Sequence, residues 1–306
     1  MSIDSRIMGL LGNNSFIFLL AIAVALLYSD GASYTEPALV PVLGLIMTIS
    51  ILDISSRVFL DLKTILLPVL MALVLNFIIL SGIYVGLSSL IIGDEDLRTG
   101  FVLVAAMPPA VAVIPITYLL GGNTRYSLVG NVAVYTVALA VTPLICILFL
   151  GANFIETERL LIVLGELIVA PIVVSRILRR TRIMSIVERW RNPVVNWGFF
   201  LVIYTMVGLN RDVFLQEPGT LLLVSAVAFT GTFVLAEVIN RVSIRLGVKK
   251  ASRISFMLLG TRKNDGLAGA IALIFFDPRA AMPAALVLSF SVFHFVWLTW
   301  RVKRMR

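Results

Sequence analysis

The chain has 306 residues, 59% hydrophobic and 14% charged, with a mean hydropathy of +1.03 and a formal net charge of +8. Soluble domains carry about 25% charged residues, so this composition reads as an all-α polytopic membrane protein. One cysteine, Cys146, and one histidine, His294, exclude a disulfide framework and a Cys- or His-cluster metal site.

A membrane-spanning helix needs about 20 apolar residues, fewer where it is broken. Ten spans are predicted, at roughly 15–29, 37–53, 64–91, 99–120, 126–150, 159–175, 194–209, 219–240, 252–276 and 280–300. The first, Phe16 to Tyr28, has only Arg6 before it and no small-residue cleavage site after it, so it reads as a span and not as a signal peptide. The connections are short, and none is long enough for a separate soluble domain. The 306 residues therefore read as one transporter unit, with a first repeat over 1–151 and a second over 152–306.

Lysine and arginine in the loops set the orientation. The side holding both termini carries 19: Arg6, Arg57, Lys63, Arg125, a group from Arg176 to Arg191, a group from Arg241 to Arg253, and Arg301 to Arg306. The other side carries four, Arg98, Arg159, Arg211 and Arg279; Arg262 and Lys263 within a span complete the 25. Both termini are thus predicted to be cytoplasmic, in a cell (inner) membrane protein. Topology accounts for the basic excess, so no nucleic-acid partner is inferred.

Ten spans divide into five plus five, and an odd number per half places the second half upside down, as in many secondary transporters. The fourth and ninth spans then correspond, and these two carry internal breaks. Pro108-Pro109 interrupts the fourth, since two adjacent prolines remove two backbone donors. Arg262-Lys263-Asn264-Asp265-Gly266 interrupts the ninth. Matching interruptions point to a binding site at the repeat interface, where freed carbonyls and half-helix ends face a polar site. The predicted fold is two inverted five-helix repeats with helices 4 and 9 broken and crossing.

Charge within a span costs a few kcal/mol or more per residue and persists where it pairs, faces water or binds something. Lys263 and Asp265 have three functional readings: an internal pair that breaks during transport, Lys263 as counter-charge for an anion, or Asp265 as proton carrier. Arg262 either lines the cavity or snorkels to the interface. Asn264 and Gly266 suit an unwound crossover. Elsewhere, Asp53 and Asn76 lie in or near spans two and three, and Asn76 is a candidate to face the cavity. Thr117 and Tyr118 follow the first break. Ser127 and Asn131, four apart on the fifth span, share a helix face, where they line a cavity or bond neighbouring helices. Glu166 in the sixth span is a second proton-carrier candidate or a helix-interface residue. Glu237 should reach the interface, and His294 reads as an interhelical hydrogen-bond residue.

Four stretches together resemble the bile acid:sodium symporter family. They are Val42 to Met47; Pro108 through Thr117-Tyr118-Leu119 to Gly122-Asn123; Val141-Thr142-Pro143-Leu144; and Asn264-Asp265-Gly266-Leu267-Ala268. The resemblance implies a ten-helix transporter with interleaved panel and core subdomains. It also implies a substrate site beside the crossing of helices 4 and 9, and alternating access by movement of one domain against the other. It further implies an organic-anion cargo, such as a bile acid, a sulfated steroid or a small carboxylate, driven by sodium. By the same resemblance the family's sodium ligands fall on Val113-Ile114, Leu259, Lys263, Asn76, Ser127 and Asn131. Val, Ile and Leu side chains offer no oxygen, and a lysine brings a like charge.

The expectation is therefore a sodium-independent secondary transporter of a small organic anion, proton-coupled, exchanging or uniporting, with Lys263 as a tethered cation. The transport set is Lys263, Arg262, Asn264, Asp265, Pro108, Pro109, Thr117, Ser127, Asn131 and Asn76, with Asp265 and Glu166 as proton-carrier candidates and no metal or cofactor. The lipid bilayer, the anion and protons are the predicted partners, for a monomer or homodimer. The alternatives are a cation/proton antiporter using Asp265, or a non-transporting sensor or channel on the same fold. An enzyme is not expected, since no cofactor motif or nucleophile–base arrangement is present.

Overall fold

The computed structural model describes residues 14–52, 62–151, 157–181 and 184–305. Asp53 and the topological cations Arg6, Arg57, Arg182 and Arg306 lie outside them. Regular structure among the described residues is helical throughout. In chain order the helices are α1 (Asn14–Leu27), α2 (Ala32–Ser50), α3 (62–91), α4 (Glu95–Ala106), α5 (Val113–Leu119), α6 (Thr124–Leu150) and α7 (157–178). Then come α8 (Met184–Leu209), α9 (Arg211–Gln216), α10 (Pro218–Arg245), α11 (Lys250–Thr261), α12 (Asp265–Phe275) and α13 (Met282–Lys303).

Among the described residues, seven helices are long and apolar enough to cross a membrane. They are α2, α3, α6, α7, α8, α10 and α13 with its leading turn. The shorter α1 is also apolar. The predicted fourth span falls on α4 and α5, and the ninth on α11 and α12, so both breaks are present. Asp94 starts α4 by accepting from Leu97 N at 3.1 Å, Asn123 starts α6 by accepting from Tyr126 N at 3.2 Å, and Asn264 starts α12 by accepting from Leu267 N at 3.2 Å. After α5 the chain reverses at Gly121, whose φ of +68° suits glycine; Gly122 N then bonds Thr117 O at 2.8 Å, satisfying a terminal carbonyl.

α8 lies along α1 and α2, and α7 packs on α2. α3 packs lengthwise on α6 and α4, α10 on α11 and α13, and α12 on α4 and α13. α12 also touches α2 and α8, so the ninth-span break lies where the two sets of helices meet. Three helices contain a π-helical turn, at Val74–Leu80 in α3, Gly165–Val169 in α7 and Thr230–Val234 in α10. Such turns shift the helical register and are frequent at functional sites.

Arg279 ties three helix starts together at one end of the bundle. It donates Nε to Asp94 Oδ2 at 2.7 Å, and Nη1 and Nη2 to the two Glu217 carboxylate oxygens at 2.8 and 2.7 Å. The bonds from Arg279, then that from Thr220, pull the Glu217 carboxyl down to about 2 from its ordinary 4.5. A lowered folded-state value stabilises above the ordinary value and is lost as pH falls through the lowered one. The melting temperature should therefore fall between pH 4.5 and about 2 from this carboxylate. Melting curves of Glu217→Gln should lack that part of the decline; an unchanged acid profile would rule the tie out as a stabiliser.

Candidate functional site

The prolines of the first break determine which carbonyls are free. In an unbroken helix Ala105 O would accept from residue 109, which is Pro109 and has no N–H. Val104 O is taken by Met107 N at 3.2 Å, and Ala106 O by Thr142 Oγ1 at 2.6 Å. Pro108 O accepts from Asn264 N at 2.7 Å, so the two breaks bond directly to each other. Ala110 O accepts from Asn131 Nδ2 at 3.3 Å. Ala105 O and Met107 O remain, at the carbonyl end of α4, where the helix dipole is negative.

Lys263 fills that position. Its Nζ donates to Ala105 O at 2.7 Å, Met107 O at 2.8 Å, Asn76 Oδ1 at 2.8 Å and Ser81 Oγ at 3.0 Å. The ammonium also lies over the Phe77 ring, 4.9 Å from its centroid. The side chain is fully buried. Burying an ammonium costs several kcal/mol, and bonds from a charged donor return about 1.5–3 kcal/mol each, so the oxygen cage is what makes this lysine tolerable. Asn76 completes the arrangement, donating Nδ2 to Leu259 O at 3.1 Å and Arg262 O at 3.0 Å at the end of α11.

An ammonium has three protons, and four oxygens surround this one. In this arrangement all three Lys263 donors are taken by protein oxygens. Lys263 and Asp265 form no direct ion pair. Arg262 does not snorkel: it is buried and donates Nη1 to Ser291 O at 2.6 Å. Asp265 is buried, and its Oδ1 has no partner. Asn264 Nδ2 faces Tyr135 Oη at 3.1 Å and Met47 Sδ at 3.5 Å, toward α6 and α2.

The remaining expected site residues separate. Thr117 and Ser127 share a 2.7 Å hydroxyl contact, and Asn131 bonds the break at Ala110, so this pair takes the interhelical alternative. Pro109 contributes through the donor it lacks. Glu166 is not brought to the crossing; the π-helical turn it occupies leaves it on the exposed face of α7. Glu237 bonds Arg241 and Arg301. His294 does not form the expected interhelical bond, and neither ring nitrogen has a partner.

Ser81 belongs to the cage and was not expected there. It lies five residues after Asn76, and at 3.6 residues per turn such residues face different ways. The i→i+5 bonding of the Val74–Leu80 turn aligns them, with Ser81 Oγ reaching Asn76 O at 3.0 Å. A serine five from a polar residue, within an apolar span, was the only trace of this in the sequence.

The model of the SBF-like CPA transporter family matches residues 14–300. The chain belongs to that family. The family is bile acid:sodium symporter-like, in agreement with the motifs, and makes the protein a transporter-type membrane protein. The chain is also 26% identical over 204 residues to the "Uncharacterized sodium-dependent transporter YocS" of Bacillus subtilis (strain 168), which covers 65% of this chain. The chain spans 61% of that relative's length. Within the SBF-like CPA frame, Val113 and Leu259 are fully buried apolar side chains at positions where the resemblance placed sodium ligands.

Proposed function

We propose that this member of the SBF-like CPA family is a sodium-independent secondary transporter of a small organic anion. Its ten spans would form two inverted halves, 1–151 and 152–306, with panel and core subdomains and cytoplasmic termini in the cell membrane. The observation that carries this is the Lys263 ammonium within four oxygens at the crossing. A covalently held cation there takes the electrostatic place of a coupling ion and cannot leave with the cargo. The Bacillus relative is named sodium-dependent, and that name belongs to that protein; Lys263 is the reason to separate this chain from it. The anion would bind beside the crossing, near Asn264, Tyr135 and Met47, against the positive end of α12. The Asn264 amide, not Lys263, would make the direct contact.

The test is uptake of labelled bile acid, sulfated steroid and small carboxylate into proteoliposomes, with sodium replaced by potassium. Rates with and without sodium should agree within about twofold, since no released sodium contributes to the driving force. An absolute sodium requirement overturns the reading. A pH gradient or a trans-loaded anion then separates proton coupling from exchange.

A second reading, a cation/proton antiporter, is favoured by one observation: Asp265 is buried with an unpartnered oxygen. A pH-jump assay with sodium or potassium in place of the anion decides between them.

A further inference from the structure

Arg262 has extended backbone, φ −113° and ψ 134°, and successive residues in extended chain point to opposite sides. Arg262 therefore leaves the Lys263 cage behind and enters a second group of buried polar side chains. Seven of their atoms have no hydrogen-bond partner: Tyr84 Oη, Arg262 Nε and Nη2, Asp265 Oδ1, Ser291 Oγ, and Nδ1 and Nε2 of His294. Tyr84 and His294 are 0% exposed, and Asp265, Arg262 and Ser291 are 3%, 5% and 8% exposed.

These groups are neighbours. Arg262 and Asp265 both act electrostatically on Tyr84, and Arg262 acts on His294. Arg262 Nη1 reaches Ser291 O, and the Ser291 hydroxyl faces Asp265 without meeting hydrogen-bond geometry. Ser291 and His294, three apart on α13, share a helix face. Native structures leave few buried polar atoms unpaired, and each orphan costs about 1–3 kcal/mol. Groups that face one another beyond bonding distance are what internal water bridges, needing two to four polar partners per molecule.

The far side of the imidazole is closed by Phe233, with ring centroids 5.0 Å apart, and by Trp297 at 5.4 Å. Phe233 and Trp297 also line a cavity of about 360 Å³ whose wall includes Glu237 and Arg241. These two rings thus stand between the imidazole and that cavity.

We propose that internal water joins His294 to Asp265, and that the imidazole, walled off from the Glu237 cavity by Phe233 and Trp297, relays protons to and from this carboxylate through that water. The proposal rests on Asp265 as the proton-carrying carboxylate of the functional reading above. The imidazolium releases the proton of one ring nitrogen into the water chain and becomes neutral. The Asp265 carboxylate receives one proton from that chain, and the reverse sequence returns it. The titratable and charged groups facing the relay are Arg262, Lys263, Asp265 and Tyr84, and Glu237 and Arg241 line the cavity beyond the two rings.

His294 is the only histidine in the chain, so ring-¹⁵N-histidine labelling in lipid nanodiscs yields one imidazole to follow, with water as the only probe. The imidazole should show an exchange cross-peak to water. Asp265→Asn should displace its resonances, and Asp212→Asn, at an exposed position, should not. Hydroxyl-radical footprinting of the unaltered protein should modify Tyr84 at least tenfold faster than Phe101, which is equally buried and packs on it. Equal protection of Tyr84 and Phe101 with no water cross-peak overturns the proposal without any variant. A wet chamber whose imidazole ignores Asp265→Asn overturns the relay. Neither measurement needs a transported anion, so failure of the uptake assay with a wet, coupled chamber counts against the functional reading alone.

Discussion

Lys263→Ala is expected to make the protein's stability depend on an added small cation. Removing the ammonium strands Asn76 Oδ1 and Met107 O, while Ala105 O keeps the Ser81 hydroxyl as a donor at 2.6 Å. At about 1–3 kcal/mol for each stranded group, the variant should lose at least about 2 kcal/mol relative to the parent. The vacated cage is an oxygen-lined hole, and the distances of 2.7–3.0 Å around Nζ are those of N–H···O bonds. Hard cations such as calcium sit closer to their oxygens, at about 2.3–2.6 Å. Ammonium or methylammonium should therefore restore the alanine variant better than sodium, recovering about 2.7 kcal/mol at a concentration 100 times the dissociation constant. Thermal unfolding in detergent with each cation measures this. The parent should not respond, because its cage is filled, and neither should Lys263→Met, whose apolar chain occupies the hole. A variant as stable as the parent, or one indifferent to every cation, would show that the cage does not hold the crossing together.

Arg262 and Asp265 should prove energetically inseparable. Both are buried, and among opposite charges each acts most strongly on the other across the start of α12. Removing one partner of a buried charge couple costs about 3–5 kcal/mol, because the survivor is left uncompensated. Arg262→Met and Asp265→Asn should each fall in that range. The double variant should cost about 1–3 kcal/mol less than the two together, the coupling seen for residues in one network. Unfolding free energies of the four proteins complete the cycle. Strict additivity would mean that each charge is compensated independently, and would remove the electrostatic basis for treating Asp265 as poised between states.

The membrane class, the positions of the helices and both breaks were legible in the sequence because they depend on local quantities. Runs of apolar side chains set the spans, two prolines lacking N–H groups set the first break, and a charged pentapeptide set the second. Lys263 stood out for the same reason, since its cost does not depend on knowing its partners. Its role did depend on them. Read alone, it left an internal pair, a counter-charge and a tethered cation open; the structure adds that its donors are committed to α3 and α4. Glu166 shows the opposite failure: an acidic residue inside a span carries a strong signal, yet the face it occupies is set by the helix turn and by neighbours.

The sequence by itself determined that the chain must be membrane-embedded, that its helices must break at Pro108-Pro109 and at Arg262 to Gly266, and that charge must be accommodated at the second break. These follow from transfer costs and backbone donors counted along the chain. Only the tertiary structure decided how that charge is accommodated. The oxygens around Lys263 come from residues between 76 and 107, more than 150 positions away, and a π-helical turn rotates Ser81 into line with Asn76. Hydrogen bonds reach about 3 Å, so a partner set is known only once the helices that carry it have been brought side by side.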